Sequence, residues 1–154
     1  MSTVQNSIVH PDFLLHSETA RHLFHNIAEK LPIFDYHCHL SAEEIYRDNN
    51  FANLTQIWLN GDHYKWRLMR ANGVDEKFIT GDASDEEKFM KWAETVPAML
   101  RNPMYHWTHL ELKYPFGCDK LLSPKTAKEI YQSVSEKLQQ KDFTVRGLMR
   151  KFNV

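Results

Sequence analysis

The chain of 154 residues is 42% hydrophobic and 12% aromatic, which supplies enough apolar surface for one folded domain and excludes an intrinsically disordered chain. Its 19 lysines and arginines balance 20 aspartates and glutamates, so the formal net charge of -1 predicts no attraction to nucleic acid or to an anionic membrane. Two distant cysteines, a polar N-terminus without signal-peptide features and no apolar run near the ~20 residues of a membrane span predict a soluble protein of the reducing cytoplasm.

The first predicted element is a helix within residues 1–32. Ser17 is a typical N-cap residue, and Pro32 stops the pattern. Between them apolar residues recur at helical spacing: Ala20, Leu23, Phe24, Ile27, Ala28 and Leu31.

A strand is predicted next, from Ile33 to Leu40. Alternation along a strand places His37 and His39 on one face together with Asp35. Neutral imidazoles are common ligands of zinc and similar ions, so this pair predicts either a metal site or two histidines stacked for packing. Asp35 is expected to orient a ligand or to have a structural role, in preference to binding metal directly. The opposite face is apolar and is expected to pack against helices: Phe34, Tyr36, Cys38 and Leu40.

Helices dominate the rest of the chain. Their starts are predicted by Ser41 with Glu44, Asn53 with Gln56, Asp62 and Ser84 with Glu87. Helices are also expected from Ser123-Pro124 onwards and from Val145 to Lys151, and for residues 104–114, whose pattern is ambiguous, a helix is preferred. One strand is thus predicted among several helices, and a lone strand leaves its backbone groups unpaired on both edges. This imbalance indicates the beginning of a larger α/β protein.

A second group of polar residues opens the helix predicted from His63 to Ala71. His63 and Tyr64 lie in its first turn, whose free amides favour an anion, and Arg67 lies one turn further on. The arrangement suits a carboxylate or sugar hydroxyls, although the residues alone favour a capped surface helix with Trp66 and Leu68 or Met69 as its core contacts. His106 and His109 are spaced to share a helix face, but their aromatic neighbours favour packing over metal binding.

Several longer sequence words resemble one enzyme family. They are Phe-Asp-Tyr-His-Cys-His-Leu at 34–40, Ile-Trp-Leu-Asn-Gly-Asp-His-Tyr-Lys-Trp-Arg at 57–67, Gly-Asp-Ala-Ser at 81–84, Asn-Pro-Met-Tyr-His-Trp-Thr-His-Leu-Glu-Leu at 102–112 and Leu-Leu-Ser-Pro at 121–124. From about residue 11 to its end, the chain resembles the N-terminal part of the uronate isomerases, which belong to the amidohydrolase superfamily.

The resemblance implies a fold, a reaction and roles for four residues, and the helix spacing described above adds a role for Arg67. The fold is a metal-dependent (β/α)8 TIM barrel in which Ile33 to Leu40 is strand one, and the reaction interconverts D-glucuronate with D-fructuronate and D-galacturonate with D-tagaturonate. His37 and His39 would bind a divalent ion, for which zinc is expected. His63 and Tyr64 would contact the hexuronate and act in catalysis, and Arg67 would help to bind it.

We therefore expect an α/β protein that is a mainly helical N-terminal fragment with one clear strand. Residues 41–140 would be a helical insertion that caps the barrel mouth or forms a homo-oligomer contact, and residues 141–154 would approach strand two. Such a fragment would bind metal weakly and would not turn over substrate alone. A non-catalytic helical interaction module and another amidohydrolase-type metal enzyme are the alternatives.

Overall fold

The structure, a computed structural model, describes residues 9–154, and within that range the regular secondary structure is helical. Short 3-10 turns follow four of the α-helices, and one isolated antiparallel bridge pairs Asn50 with Thr144. The α-helices in chain order are α1 (Glu18–Asn26), α2 (Ala42–Arg47), α3 (Leu54–Trp58), α4 (His63–Ala71), α5 (Asp85–Thr95), α6 (Pro103–Lys113), α7 (Ala127–Leu138) and α8 (Val145–Phe152).

Side-chain caps begin most of these helices where the sequence predicts them. Ser41 and Glu44 form a reciprocal capping box at α2, and Ser84 and Glu87 form another at α5. The predicted helices at residues 63–71, 104–114 and 145–151 are confirmed, the second lying one residue earlier and the last extending to Phe152. Single caps begin α1, α3 and α4 at Ser17, Asn53 and Asp62.

Residues 33–40 do not form the predicted strand. The Asp35 carboxylate accepts the His37 backbone N–H at 3.2 Å, which bends the chain locally. A strand also needs a neighbour, and no strand in residues 9–154 pairs with this segment. The apolar face expected to pack is open instead, since Phe34 is 92% and Tyr36 97% exposed. The prediction of one clear strand is therefore wrong for the described residues.

The start of α7 was also predicted too early. Ser123 and Pro124 lie in a turn, and the helix begins at Ala127. The Thr126 hydroxyl stabilises that turn, because it accepts the Ser123 N–H at 3.0 Å and donates to the Leu121 carbonyl at 2.6 Å.

The core forms where α3, α5 and α7 meet. Phe89 of α5 lies at its centre, with ring-centre distances of 6.2 Å to Trp58 of α3 and 5.0 Å to Tyr131 of α7. Residues of α4 and α6 extend the same cluster. The largest fully buried side chains within it are Trp92, Phe89, Leu54, Met69, Leu112, Leu122, Ile130 and Leu138.

The last helix, α8, holds the N-terminal segment. The Arg146 backbone N–H donates to the Asp48 carboxylate at 2.8 Å, and the Arg146 guanidinium pairs with the same carboxylate at 3.0 Å. The Ile33 N–H donates to the Asn153 carbonyl at 2.8 Å. These contacts connect the beginning and the end of residues 33–48 to one helix.

Residues 23–46, which we call the exposed apolar segment, carry large apolar side chains that are exposed to solvent. Helix α1 has the predicted apolar stripe but buries none of its residues within the described structure. Exposed contiguous apolar surface of this kind usually marks a place where another part of a protein packs. The open side chains are Leu23, Phe24, Ile27, Leu31, Ile33, Phe34, Tyr36 and Tyr46.

Among residues 9–154, no helix has the length and apolar character needed to cross a membrane.

Candidate active site

Four rings from two separate parts of the chain lie together at the start of α4. The ring of His39 stacks on that of His63 with centres 5.3 Å apart and planes 23° apart. His37 meets His39 edge to face at 5.5 Å, and His63 lies 4.3 Å from Tyr64. We call His37, His39, His63 and Tyr64 the ring cluster. The ring cluster brings together residues of the two motifs, at 34–40 and 57–67, that suggested metal binding and substrate binding.

The ring cluster is open to solvent. Tyr64 is 53% exposed, and the three histidines are exposed as well. The bend at Asp35 turns His37 towards His39, while the first turn of α4 presents His63 and Tyr64 as neighbours. A small molecule could therefore reach every member of the cluster.

Arg67 places a cation beside the cluster. Its guanidinium carbon lies 5.8 Å from the centre of the Tyr64 ring, one helical turn after His63. The backbone amides of this turn are less available than the sequence suggests, because the Asp62 carboxylate accepts the N–H groups of Tyr64 at 2.9 Å and Lys65 at 3.2 Å. An anion at this place would rely on side chains such as Arg67, and less on the helix terminus.

His37 and His39 fit a two-ligand metal site in part. Two imidazoles on one tetrahedral zinc have ring centres roughly 5 Å apart, given Zn–N bonds of about 2.0–2.1 Å, and the observed separation is 5.5 Å. The His63 ring centre lies 5.3 Å from that of His39, with the ring planes 23° apart. Within the described residues no group of three His, Cys, Asp or Glu side chains is arranged to hold a metal.

Sequence reasoning missed two residues near the cluster. Lys65 is only 5% exposed, and its ammonium lies 2.9 Å from Asp62 and 3.7 Å from Glu111 of α6. The three-residue spacing of Asp62 and Lys65 is a usable sequence signal for an ion pair. Glu111 gives no such signal, because its contact depends on how α6 packs against α4.

His109 is a structural histidine, in agreement with the packing interpretation. It is 4% exposed and hydrogen-bonds the Tyr105 carbonyl through Nδ1 at 2.6 Å and the Leu122 N–H through Nε2 at 3.0 Å. A backbone N–H such as that of Leu122 can only donate, so Nε2 of His109 must be unprotonated. Nδ1 therefore carries the proton. Burial lowers the pKa of His109, outweighing the bond to Tyr105 that raises it. The side chain ties α6 to the loop before α7.

Replacing His109 with phenylalanine is expected to lower the free energy of unfolding by about 1–3 kcal/mol, because the buried Leu122 N–H loses its acceptor. His106→Phe is the matched control, since His106 contacts Phe13 and Tyr105 by ring edges. Urea unfolding of both variants measures the difference. Equal losses in the two variants would contradict the structural role of His109.

The same histidine predicts a pH dependence. Its pKa in the folded chain lies below the ordinary value of 6.5, so as the pH falls the unfolded chain takes up the proton first. The contribution to stability is therefore complete above pH 6.5, declines below it, and levels off under the folded pKa. The His109→Phe variant should lack this decline in urea titrations across the same pH range.

Comparison with known proteins identifies the relatives of this chain. Residues 5–154 match the family model described as Glucuronate isomerase. The chain belongs to the glucuronate isomerase family. Curated family members called uronate isomerase are similar over 93% of the chain: those of Bacteroides fragilis and Yersinia enterocolitica are 60% identical over 144 residues, and that of Caldanaerobacter subterraneus is 57% identical over 143.

Solved structures of glucuronate isomerase relatives have the same helical arrangement. The uronate isomerase of Thermotoga maritima superimposes with a TM-score of 0.89 at 36% identity over 95% of this chain. The glucuronate isomerase of Caulobacter crescentus superimposes at 0.76 over 82% of the chain and, at 22% identity, indicates a shared fold. The chain spans about a third of its relatives' length: 31% of the curated proteins and 32% of the Thermotoga chain.

Proposed function

We propose that this chain forms the N-terminal part of the active site of a uronate isomerase that interconverts D-glucuronate with D-fructuronate and D-galacturonate with D-tagaturonate. The observation that carries the proposal is the stacking of His39 on His63, which brings both sequence words into one exposed cluster. Family membership supports the reaction class, and the cation beside the rings suits the carboxylate that every hexuronate carries.

The side chains of the cluster would divide the work of aldose–ketose isomerisation. The reaction removes a proton next to a carbonyl and returns one to the neighbouring carbon. Tyr64 has a hydroxyl that can donate or accept a hydrogen bond, and the His63 imidazole beside it can take up or release a proton. Arg67 would bind the substrate carboxylate and so orient the sugar across the two rings.

His37 and His39 would hold a divalent ion, and we propose zinc because both ligands are neutral imidazoles. Such an ion, when bound, polarises substrate oxygens and lowers the pKa of a bound water. With two ligands in the described residues, the chain alone should hold the metal weakly. The remaining ligand would come from the part of the polypeptide that the relatives have beyond this region.

The resemblance to the uronate isomerases implies the rest of the proposed architecture, and the greater length of the relatives leaves room for it. We propose a (β/α)8 barrel in which residues 33–40 become strand one once a neighbouring strand pairs with them. Residues 41–140 would then cap the barrel mouth or form a contact between subunits, and residues 141–154 would lead towards strand two. The exposed apolar segment supports this proposal, because the barrel would cover side chains that are open here. A cytoplasmic location suits an enzyme of sugar-acid metabolism.

A chimera tests the proposal directly. Residues 1–154 of this chain, joined to the part of the Bacteroides fragilis uronate isomerase that follows the matched region, should convert D-glucuronate to a ketose. The chain alone and the Bacteroides segment alone should show no turnover. The readout is ketose formation, with D-galacturonate as a second substrate.

Metal content gives an independent measurement on the same proteins. The chimera should contain close to one zinc ion per chain after purification, and His37→Gln with His39→Gln should lower that content, whereas the chain alone should hold much less than one. A chimera that folds cooperatively but holds no metal and turns over neither uronate would overturn the proposal in favour of a non-catalytic interaction module.

A further inference from the structure

Lys65 is a buried lysine next in sequence to Tyr64 of the ring cluster. It follows Tyr64 in α4, and its ammonium lies 2.9 Å from Asp62 and 5.9 Å from the centre of the Trp58 ring. Its side chain is 6% exposed. A buried ammonium persists only when it is paired, so these neighbours determine where the lysine, and with it the first turn of α4, can lie.

The carboxylate of Asp62 joins this ion pair to the helix cap. One oxygen accepts the backbone N–H groups of Tyr64 and Lys65, while the other accepts the Lys65 ammonium at 2.9 Å. Burial by itself raises the pKa of Asp62, but Lys65 and the two amides outweigh it and hold that pKa below its usual value. The charged carboxylate therefore fixes the backbone that carries His63 and Tyr64.

Glu111 brings the second helix into the same group. Its Oε2 lies 3.7 Å from the Lys65 ammonium, is shielded from solvent and has no hydrogen-bond partner within the described structure. Burial raises the pKa of Glu111, and the charge of Lys65 opposes that rise. Lys65 thus lies between one carboxylate on its own helix cap and another on α6.

We propose that Lys65, held between Asp62 and Glu111, is a positioning residue that sets the first turn of α4 so that His63 and Tyr64 meet His39. The expected effect of Lys65 on turnover rests on the proposed isomerase function. The expected effect of Lys65 on the ring contacts does not. Buried ion pairs often contribute little net stability compared with apolar groups of similar size. The ion pair of Lys65 with Asp62 and Glu111 would instead serve to place His63 and Tyr64.

The first test uses the chain itself and does not depend on activity. In aromatic NOE spectra, the chain should show contacts between the His39 ring and the rings of His63 and Tyr64. Lys65→Met should remove or strongly weaken these contacts while the core methyl signals and the cooperative thermal transition remain. Lys91→Met is the matched control, because Lys91 pairs with Glu94 at the same three-residue spacing on α5 but is 34% exposed.

The second test is kinetic and uses the chimera. A misplaced catalytic pair lowers kcat by up to about 10²-fold. Lys65→Met should therefore lower kcat at least 10-fold with a smaller change in KM, and Lys65→Arg should restore part of the loss because it keeps the charge. Lys91→Met should leave both parameters within twofold. If the chimera is inactive, the ring contacts still decide the positioning role, so the two proposals fail separately.

If the Lys65→Met variant does not fold, a second variant tests the positioning role. Lys65→Met combined with Glu111→Gln also removes the charge of the carboxylate on α6, while Asp62 keeps its two backbone amides, so the double variant should fold while still lacking the ring contacts. Ring contacts and turnover equal to those of the unsubstituted protein, in either folded variant, would overturn the positioning role. Loss of the contacts with an intact core would support it.

Discussion

Replacing Phe89 with alanine is expected to remove a large part of the free energy of unfolding of the chain and to lower its unfolding temperature. Phe89 is fully buried and contacts Trp58 and Tyr131 from two other helices, so its removal leaves a cavity where α3, α5 and α7 meet. Substitutions of this kind cost about 3–5 kcal/mol, against a total stability of about 5–15 kcal/mol for a domain. Thermal and urea unfolding measured by circular dichroism should show the loss.

Phe34→Ala is a matched control for this prediction. Phe34 is 92% exposed, so the same substitution should change the free energy of unfolding of the chain by less than about 0.5 kcal/mol. In the chimera it should cost more, because the added segment is expected to cover this side chain. A large effect of Phe34→Ala in the chain alone would contradict the described exposure of residues 33–40.

Replacing Tyr64 with phenylalanine is expected to reduce turnover of D-glucuronate by the chimera about 10²–10⁴-fold, the range usual for loss of a group that transfers protons. The substitution keeps the ring that contacts His63 and removes the hydroxyl alone. Tyr64 is half exposed, so thermal stability should stay nearly constant. Steady-state kinetics should place the loss in kcat.

Tyr46→Phe is the corresponding control, because it removes the same hydroxyl from a tyrosine that lies outside the ring cluster. Its kcat and KM should stay within twofold of the unsubstituted chimera. If Tyr64→Phe also stays within twofold, Tyr64 does not transfer the proton, and His63→Gln then tests the other member of the pair.

Helix starts were predictable from the sequence because their determinants are local. A serine or aspartate whose side chain satisfies amides two or three residues away needs no distant partner, which is why Asp62 and the two capping boxes were correctly placed. The start of α7 was misplaced for a related reason. Thr126 forms hydrogen bonds to both Ser123 and Leu121, and these short-range bonds hold Ser123 and Pro124 in a turn outside the helix.

The strand was not predictable in this way because a strand is a property of two chain segments. The alternation of residues predicts which face of a strand His37 and His39 would occupy. The backbone hydrogen bonds of a strand, however, must be formed with a neighbouring strand. Without one, Asp35 bonds the His37 amide and the segment bends. The histidines nevertheless reach the start of α4, a juxtaposition that composition and spacing alone did not supply.

The attachment of residues 33–48 to α8 implies an order of events during translation. Helix α4, with His63 and Tyr64, is complete long before Asn153 leaves the ribosome, yet Asn153 and Arg146 hold the segment that carries His37 and His39. A nascent polypeptide therefore has half of its ring cluster early and gains the other half after α8 emerges. The apolar side chains of residues 23–46 stay exposed even with α8 in place, so chaperones can bind them throughout synthesis of this region.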